Sequence, residues 1–173
     1  MENKKNKILN VALNLFAFEA YDAVSTRKIA EIAEVSEGLI FKHFRSKNEL
    51  LEAGIKTSEE NLKYIFTDII KEENPKMVLR KTVEIPFNIT KTDLPFWRFL
   101  LKLKWHQKYN TSELLKPFLD KLFWAFETLD FHEPEKETGI LKMLMESLTS
   151  NIILEGKPSQ LKYKYFLIHR YTL

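Results

Sequence analysis

The stretch STRKIAEIAEVSEGLIFKHFRSKNELL, residues 25–51, decides the fold of the N-terminal part of this 173-residue chain. Ser25 and Ser36 are helix-capping residue types, and a short helical pattern of apolar residues follows each. About three residues around Glu34 separate the two patterns. Residues 46–49 have the S-x-x-E form of a capping box, which opens a long helix. The spacing therefore predicts two short helices joined by a tight turn, followed by a long helix.

Helical patterns also cover the rest of the chain. Apolar residues at Ile8, Ala12, Leu15 and Phe16 predict a helix over about residues 3–20. Further helices are predicted near 75–90, 94–109, 112–130, 135–155 and 158–171, and Pro117 should delay or bend the one in which it lies. Alternating strand patterns of useful length are lacking. The predicted fold class is all-α, with about nine helices.

The composition excludes several classes of protein. The chain has no cysteine, which rules out disulfide scaffolds, thiolate zinc sites and cysteine nucleophiles. It has four glycines, too few for a Gly-rich phosphate loop. The sequence contains no membrane-spanning run, and Asn10 and Asn14 interrupt the apolar stretch near its start. We expect a cytoplasmic protein without membrane association, cofactor or bound metal.

The paired short helices are typical of a helix-turn-helix, whose second helix enters the DNA major groove. A plain helical hairpin in a bundle has the same spacing, so the spacing leaves both open. The run from Thr26 to Leu51 closely resembles the DNA-binding domain of the TetR family of bacterial transcriptional regulators, and the resemblance covers about residues 5–51. It implies a three-helix DNA-binding domain over residues 1–47. Residues 48–173 would then form a helical bundle for ligand binding and dimerisation.

The resemblance also implies which residues contact DNA. Thr26, Arg27, His43 and Lys47 would contact phosphates, as would Ser36 at the start of the second helix, where capping is the simpler role. The residues that would face base edges are Glu37, Gly38, Leu39, Phe41 and Lys42. Lys42 can donate to guanine, Glu37 can accept from cytosine N4, and Leu39 or Phe41 can pack on a thymine methyl group. The complete set of DNA-contact candidates is Ser25, Thr26, Arg27, Ser36, Glu37, Gly38, Leu39, Phe41, Lys42, His43 and Lys47.

Three positions depart from the family pattern. Glu34 and Ala20 stand where glycine is usual, so a left-handed backbone at either residue would be strained. Phe41 replaces a common tyrosine and removes a hydroxyl that could reach a phosphate. Acidic residues also lie near the DNA-binding face, so DNA affinity must come from the placement of charges rather than from the net charge of +3.

Aromatic residues are concentrated in the C-terminal part. Eleven of the 22 aromatic residues lie between residues 85 and 131. A filled aromatic core explains this concentration, and so does the effector pocket that the resemblance implies, since such pockets combine aromatic walls with a few polar groups. The candidate residues for an unidentified small-molecule effector are Phe96, Trp97, Arg98, Leu101, Trp105, His106, Phe118 and Phe123.

Two apolar stripes near the C-terminus suit a dimer interface formed by two helices from each subunit, as the resemblance implies. Packing within one chain would use the same stripes. The candidate interface residues are Leu141, Leu144, Met145, Leu148, Ile152, Leu161, Tyr165 and Ile168. A homodimer is expected because one helix-turn-helix reads only half of a palindromic site.

These observations favour a ligand-responsive, DNA-binding transcriptional regulator over two other classes. An enzyme is disfavoured because the chain lacks H-E-x-x-H, G-x-S-x-G, Walker and G-x-G-x-x-G motifs. A helical protein-interaction module that has lost specific DNA binding stays open because of Glu34, Glu37 and Phe41. The expected activity is repression by a dimer bound to double-stranded DNA at a palindromic operator, and release by a small molecule; repression is what the resemblance implies.

Overall fold

The computed structural model describes residues 3–104, 111–156 and 160–172. Within these ranges the regular structure is helical, which confirms the predicted all-α fold with about nine helices. The helices are α1 (Lys4–Phe18), α2 (Thr26–Ala33), α3 (Glu37–His43), α4 (Lys47–Ile70), α5 (Pro75–Asn88), α6 (Leu94–Leu103), α7 (Ser112–Thr128), α8 (Pro134–Glu155) and α9 (Leu161–Thr172). None of the described helices is long and apolar enough to cross a membrane.

The chain divides into two compact units. The described part of the first comprises residues 3–61 and 92–104, and that of the second residues 62–91, 111–156 and 160–172. Helix α4 therefore contributes to both units and runs without a break past residue 47. The functional boundary predicted between residues 47 and 48 stays a prediction.

The first unit is built around the apolar faces of α1, α2 and α3. Helix α1 buries Ile8, Ala12 and Phe16 at the predicted i, i+4, i+8 spacing. The small residues Ala30 and Ala33 allow α2 to pack closely, and Ile40 of α3 is fully buried. Helix α6 packs along α1 and adds Phe99 and Leu103 to this core, as well as a stack of Phe99 on Phe16 with ring centroids 6.4 Å apart.

The second unit is a bundle in which α5 packs against α7, α8 and α9, and α7 packs against α8. Phe126 is fully buried, with the rings of Phe131 and Tyr171 at 5.0 and 5.6 Å in edge-to-face arrangements. Phe66, at the end of α4 that belongs to this unit, stacks on Phe118 at 4.3 Å. These five aromatic residues thus pack against one another within this unit.

Pro117 does not delay α7, which begins at Ser112. The predicted late start was wrong, and the alternative, a bend at Pro117, stays a prediction. Proline inside a helix removes one backbone hydrogen bond, here the one to the carbonyl of Glu113 four residues earlier. Because Glu113 is exposed in the first turn, solvent can replace that bond.

Candidate nucleic-acid interface

Both short helices begin at the predicted serine caps. The Ser25 hydroxyl accepts a hydrogen bond from the Lys28 amide at 3.1 Å, and the Ser36 hydroxyl accepts one from the Leu39 amide at 3.3 Å. The long helix also opens as predicted, with the Glu49 amide donating to Ser46 Oγ at 3.1 Å. The Glu49 carboxylate accepts a hydrogen bond from the Arg45 amide at 2.9 Å, whereas a standard capping box would use the amide of Ser46.

The turn between α2 and α3 contains a left-handed residue at Glu34, the backbone conformation for which the sequence predicted strain. Glu34 lies at φ 54° and ψ 47°, and its amide donates to the carbonyls of Ala30 and Glu31. The Lys7 ammonium on α1 holds the Glu34 carboxylate at 2.9 Å, and this hydrogen bond lowers the pKa of Glu34. Ala20 has an ordinary extended backbone at φ −60°, so the concern about strain does not apply there.

Helix α3 has one buried face and one exposed face. Ile40 is buried in α3 and Phe44 just after it, whereas Gly38, Phe41 and Lys42 are exposed at i, i+3 and i+4 spacing. Phe41 is 47% exposed, an unusual position for a large aromatic side chain. A Cβ atom added at Gly38 would meet nothing within 4 Å. The exposed face can therefore approach another molecule closely; Leu39 and His43 are half-buried at its edges.

Several predicted DNA-contact residues are bonded to one another or to neighbours. The Thr26 hydroxyl lies 2.5 Å from Glu37 Oε1 and donates to it, which joins the first residues of α2 and α3. Arg27 is exposed and forms an ion pair with Glu31 at 3.2 Å. Together with the Lys7 pair at Glu34, these bonds give the acidic residues near this face, Glu31, Glu34 and Glu37, a partner within the protein.

Lys47 has a structural position that the sequence did not predict. Its ammonium donates to the backbone carbonyls of Tyr21 and Val24 at 2.9 and 3.0 Å. It also lies 4.0 Å from the centroid of the Tyr21 ring. Lys47 thereby ties α4 to the short 3₁₀ turn at Tyr21–Ala23, which precedes α2. The bonds join residues more than 20 positions apart, so the local pattern around Lys47 gave no signal of them.

Lys102 on α6 caps the end of α1 in the same unit. Its ammonium donates to the carbonyls of Phe16 and Glu19 at 3.0 and 2.9 Å, where the helix dipole favours a cation. Partial burial lowers the pKa of Lys102, with nearby Arg98 acting in the same direction. The side chain was not among the predicted functional residues, and it fixes α6 to the helix that supports the helix-turn-helix.

The candidate effector residues belong to both compact units. Phe96, Trp97, Arg98 and Leu101 are half-buried on α6 in the first unit, and the Arg98 guanidinium lies 5.0 Å from the Phe18 ring centroid. In the second unit, Phe118 is buried against Phe66, while Phe123 is 38% exposed. Trp105 and His106 lie outside the described residues. An effector pocket stays a prediction.

The two apolar stripes predicted for dimerisation have different environments. Leu141, Leu148 and Ile152 are buried within their own chain, so the alternative of intrachain packing applies to them. Leu144, Met145 and Ile168 are half-buried, and Leu161 and Tyr165 are exposed. Five further apolar residues of these helices, outside the predicted set, are exposed: Ile140, Met143, Leu154, Tyr163 and Phe166. Because α8 is apolar on more than one face, periodicity alone could not tell which face lies inward.

Comparison with known proteins finds a family match for the N-terminal segment. Residues 8–53 match the sequence model of the bacterial regulatory proteins of the tetR family. Over 91 residues the chain is 33% identical to the uncharacterized HTH-type transcriptional regulator YerO of Bacillus subtilis. That alignment covers 50% of this chain and 31% of YerO, so the chain matches only about a third of this relative's length.

Solved structures match over nearly the whole chain. AibR, solved in complex with isovaleryl coenzyme A and operator DNA, has a TM-score of 0.76 at 14% identity, covering 98% of this chain and 99% of AibR. FadR from Bacillus subtilis, solved with stearoyl-CoA, has a TM-score of 0.69 at 16% identity, covering 96% and 97%. At these identities the likeness shows a shared fold. The N-terminal segment thus carries the sequence signature of the tetR family of bacterial regulatory proteins, and the chain shares the fold of solved TetR-family regulators.

Proposed function

We propose that the chain is a repressor that binds a palindromic operator in double-stranded DNA as a homodimer and is released by a small-molecule effector. The observation that carries the proposal is the exposed face of α3, where Phe41 and Lys42 lie in solvent beside Gly38 on a helix capped by Ser36. Base contacts come from this face and from Leu39 and Glu37. Phosphate contacts come from Arg27 and His43, with Ser25 and Ser36 beside them. Lys47 acts mainly by holding the turn before α2.

Fluorescence anisotropy tests the DNA-binding part with duplexes from the promoter region of the protein's own gene and an unrelated duplex of equal length. We expect tight binding to the promoter alone, with two protomers per site. Lys42→Ala combined with His43→Ala should abolish specific binding, whereas Lys56→Ala, an exposed lysine on α4, should leave it unchanged. Equal weak binding to both duplexes would contradict the proposal.

A homodimer is supported by exposed apolar side chains on the second unit. Tyr165 and Phe166 on α9 are 74% and 62% exposed, and Met143 and Leu154 on α8 are 61% and 65% exposed. Large apolar side chains grouped on two helices are typical of an interface. We assign these exposed side chains to contacts with a second copy of the chain, since a palindromic operator requires two-fold symmetry.

Size-exclusion chromatography with light scattering tests the dimer. Replacing Tyr165 and Phe166 together by glutamate should give a monomer and weaken operator binding. Tyr64→Glu is the matched control, because Tyr64 is 83% exposed and lies on α4, not on α8 or α9. A wild-type monomer at micromolar concentration would refute the assignment.

Acyl-coenzyme A thioesters are the first effector class to test, because two proteins with this fold were solved with such ligands. Release requires the effector to favour one of two conformations, with a coupling of about 1 to 3 kcal/mol. We expect a thioester to weaken operator binding by about 5- to 150-fold, and to relieve repression of transcription in vitro. If none of a series of thioesters of different chain length changes the affinity for operator DNA, this effector class is rejected.

The alternative function, a protein-interaction module without specific DNA binding, is favoured by one observation. Thr26 and Lys47, both predicted phosphate contacts, direct their hydrogen bonds into the protein. Selection from a random duplex library decides between the two functions, since a module without DNA specificity enriches no sequence.

A further inference from the structure

The hydrogen bond between Thr26 and Glu37 places a carboxylate on the predicted DNA-binding surface. Glu37 is the first residue of α3 and is half-buried. Its Oε1 accepts the Thr26 hydroxyl proton at 2.5 Å. Within the part of the chain that the structure describes, Oε2 of Glu37 makes no hydrogen bond. The carboxylate is therefore anchored through one oxygen and retains the other as an acceptor.

The same bond restricts what Thr26 can do. A threonine hydroxyl has a single proton, and phosphate oxygens only accept hydrogen bonds. While Thr26 donates to Glu37, it cannot also donate to a phosphate. Thr26 thus acts on the neighbouring side chain and not directly on DNA.

A carboxylate at this position selects among base edges by hydrogen-bond type. Guanine N7 and O6 and thymine O4 are acceptors in the major groove and repel it, whereas cytosine N4 and adenine N6 carry donors. Adenine also presents the acceptor N7 beside N6, whereas cytosine presents no acceptor of its own in the major groove. An anchored carboxylate with one available oxygen therefore favours cytosine.

We infer that Glu37 is a specificity-determining residue that accepts a hydrogen bond from cytosine N4 in each operator half-site, and that Thr26 is the positioning residue for its carboxylate. The inference rests on the proposed DNA-binding function and names a base for which that function selects. The neighbouring Gly38 supports it, because the absence of a side chain there leaves open space for close approach to the groove.

Selection of bound duplexes from a random library tests the inference with the full-length wild-type protein and four variants. We expect the wild type to enrich a palindrome with cytosine at one symmetric position in each half-site, preferred about tenfold or more over other bases. Glu37→Ala should remove that preference and leave the rest of the palindrome, and Glu37→Gln should shift it toward adenine, which glutamine pairs bidentately. Thr26→Val should weaken the preference, and Thr26→Ser, which keeps the hydroxyl, should restore it.

The outcomes separate this inference from the proposed function. A palindrome enriched equally by the wild type and Glu37→Ala, with the same base at every position, would overturn the inference and leave the proposed function standing. Failure of the wild type to enrich any sequence would overturn both. Circular dichroism melting of each variant confirms that it is folded. If Glu37→Ala does not fold, the predicted shift toward adenine in Glu37→Gln still tests the inference.

Discussion

Lys47→Met separates two roles that one lysine can have in a helix-turn-helix: holding the turn before α2 and contacting a DNA phosphate. Methionine keeps the apolar stem of lysine and removes the ammonium group. The change deletes two hydrogen bonds to backbone carbonyls, at 2.9 and 3.0 Å, and a contact with the Tyr21 ring at 4.0 Å. All three contacts are made within the folded protein and involve no DNA.

The expected loss of stability follows from these contacts. Hydrogen bonds from a charged donor contribute about 1.5 to 3 kcal/mol each when buried, and a cation–π contact contributes about 0.5 to 1 kcal/mol. Lys47 is only half-buried, and solvent can partly replace both bonds. We therefore expect Lys47→Met to lower the free energy of unfolding by about 2 kcal/mol. With an m-value of roughly 2 kcal/mol/M, the urea midpoint falls by about 1 M.

Urea denaturation followed by circular dichroism measures this change, with Lys56→Met on the same helix as the control. The control should shift the free energy of unfolding by less than about 0.5 kcal/mol, since Lys56 is exposed. Equal midpoints for the two variants would refute the structural role. Salt dependence tests the other role: a phosphate contact by Lys47 would reduce the slope of log K against log salt by about 0.9 per protomer in the variant, whereas we expect an unchanged slope.

Three further predictions concern the core, the turn and an ion pair. Phe126→Ala should lower the free energy of unfolding by about 3 to 5 kcal/mol in urea denaturation, far more than Phe123→Ala, because only the former residue is fully buried. Glu34→Gly should give a higher melting temperature than Glu34→Ala, since both lose the ion pair and only glycine relieves the left-handed backbone; the reverse order would contradict the strain. The hydrogen bond from Lys81 lowers the pKa of Glu72, so this pair stabilises the fold above the usual pKa of glutamate and loses its effect in acid. The difference in urea midpoint between the wild type and Lys81→Met should therefore shrink from pH 7 to about pH 3. A difference that stays constant over this range would count against the pair.

Sequence alone predicted those features of the fold that depend on neighbouring residues. The serine caps at Ser25 and Ser36 and the spacing of α2 and α3 follow from local backbone requirements, and all appear in the structure. The left-handed turn at Glu34 was foreseen only as a condition, because no local pattern forces it. Its stabilisation by Lys7 depends on α1, which lies 27 residues away in sequence.

The candidate sites were harder to predict because they depend on contacts distant in sequence. The pattern marks Thr26 and Glu37 as separate DNA contacts, whereas the fold bonds them together across the turn. The pattern of α8 likewise contains several apolar stripes, and only the packing of α5 and α7 decides that Leu141 and Leu148 lie inward. Period and composition describe one helix at a time, so they cannot choose between faces that are equally apolar.

The acidic residues of the helix-turn-helix change how its DNA binding must work. An ion pair within this unit, such as Lys7 with Glu34, neutralises a cation that could otherwise attract a phosphate, and Arg27 must exchange Glu31 for a phosphate in order to contact one. Lys28 is engaged in the same way by Glu19 at 2.6 Å. Because phosphate contacts supply the sequence-independent part of DNA affinity, pairing these cations lowers binding to all duplexes alike. Under the proposed function, the discrimination between operator and other DNA then depends mainly on the exposed face of α3 and on the carboxylate anchored beside it.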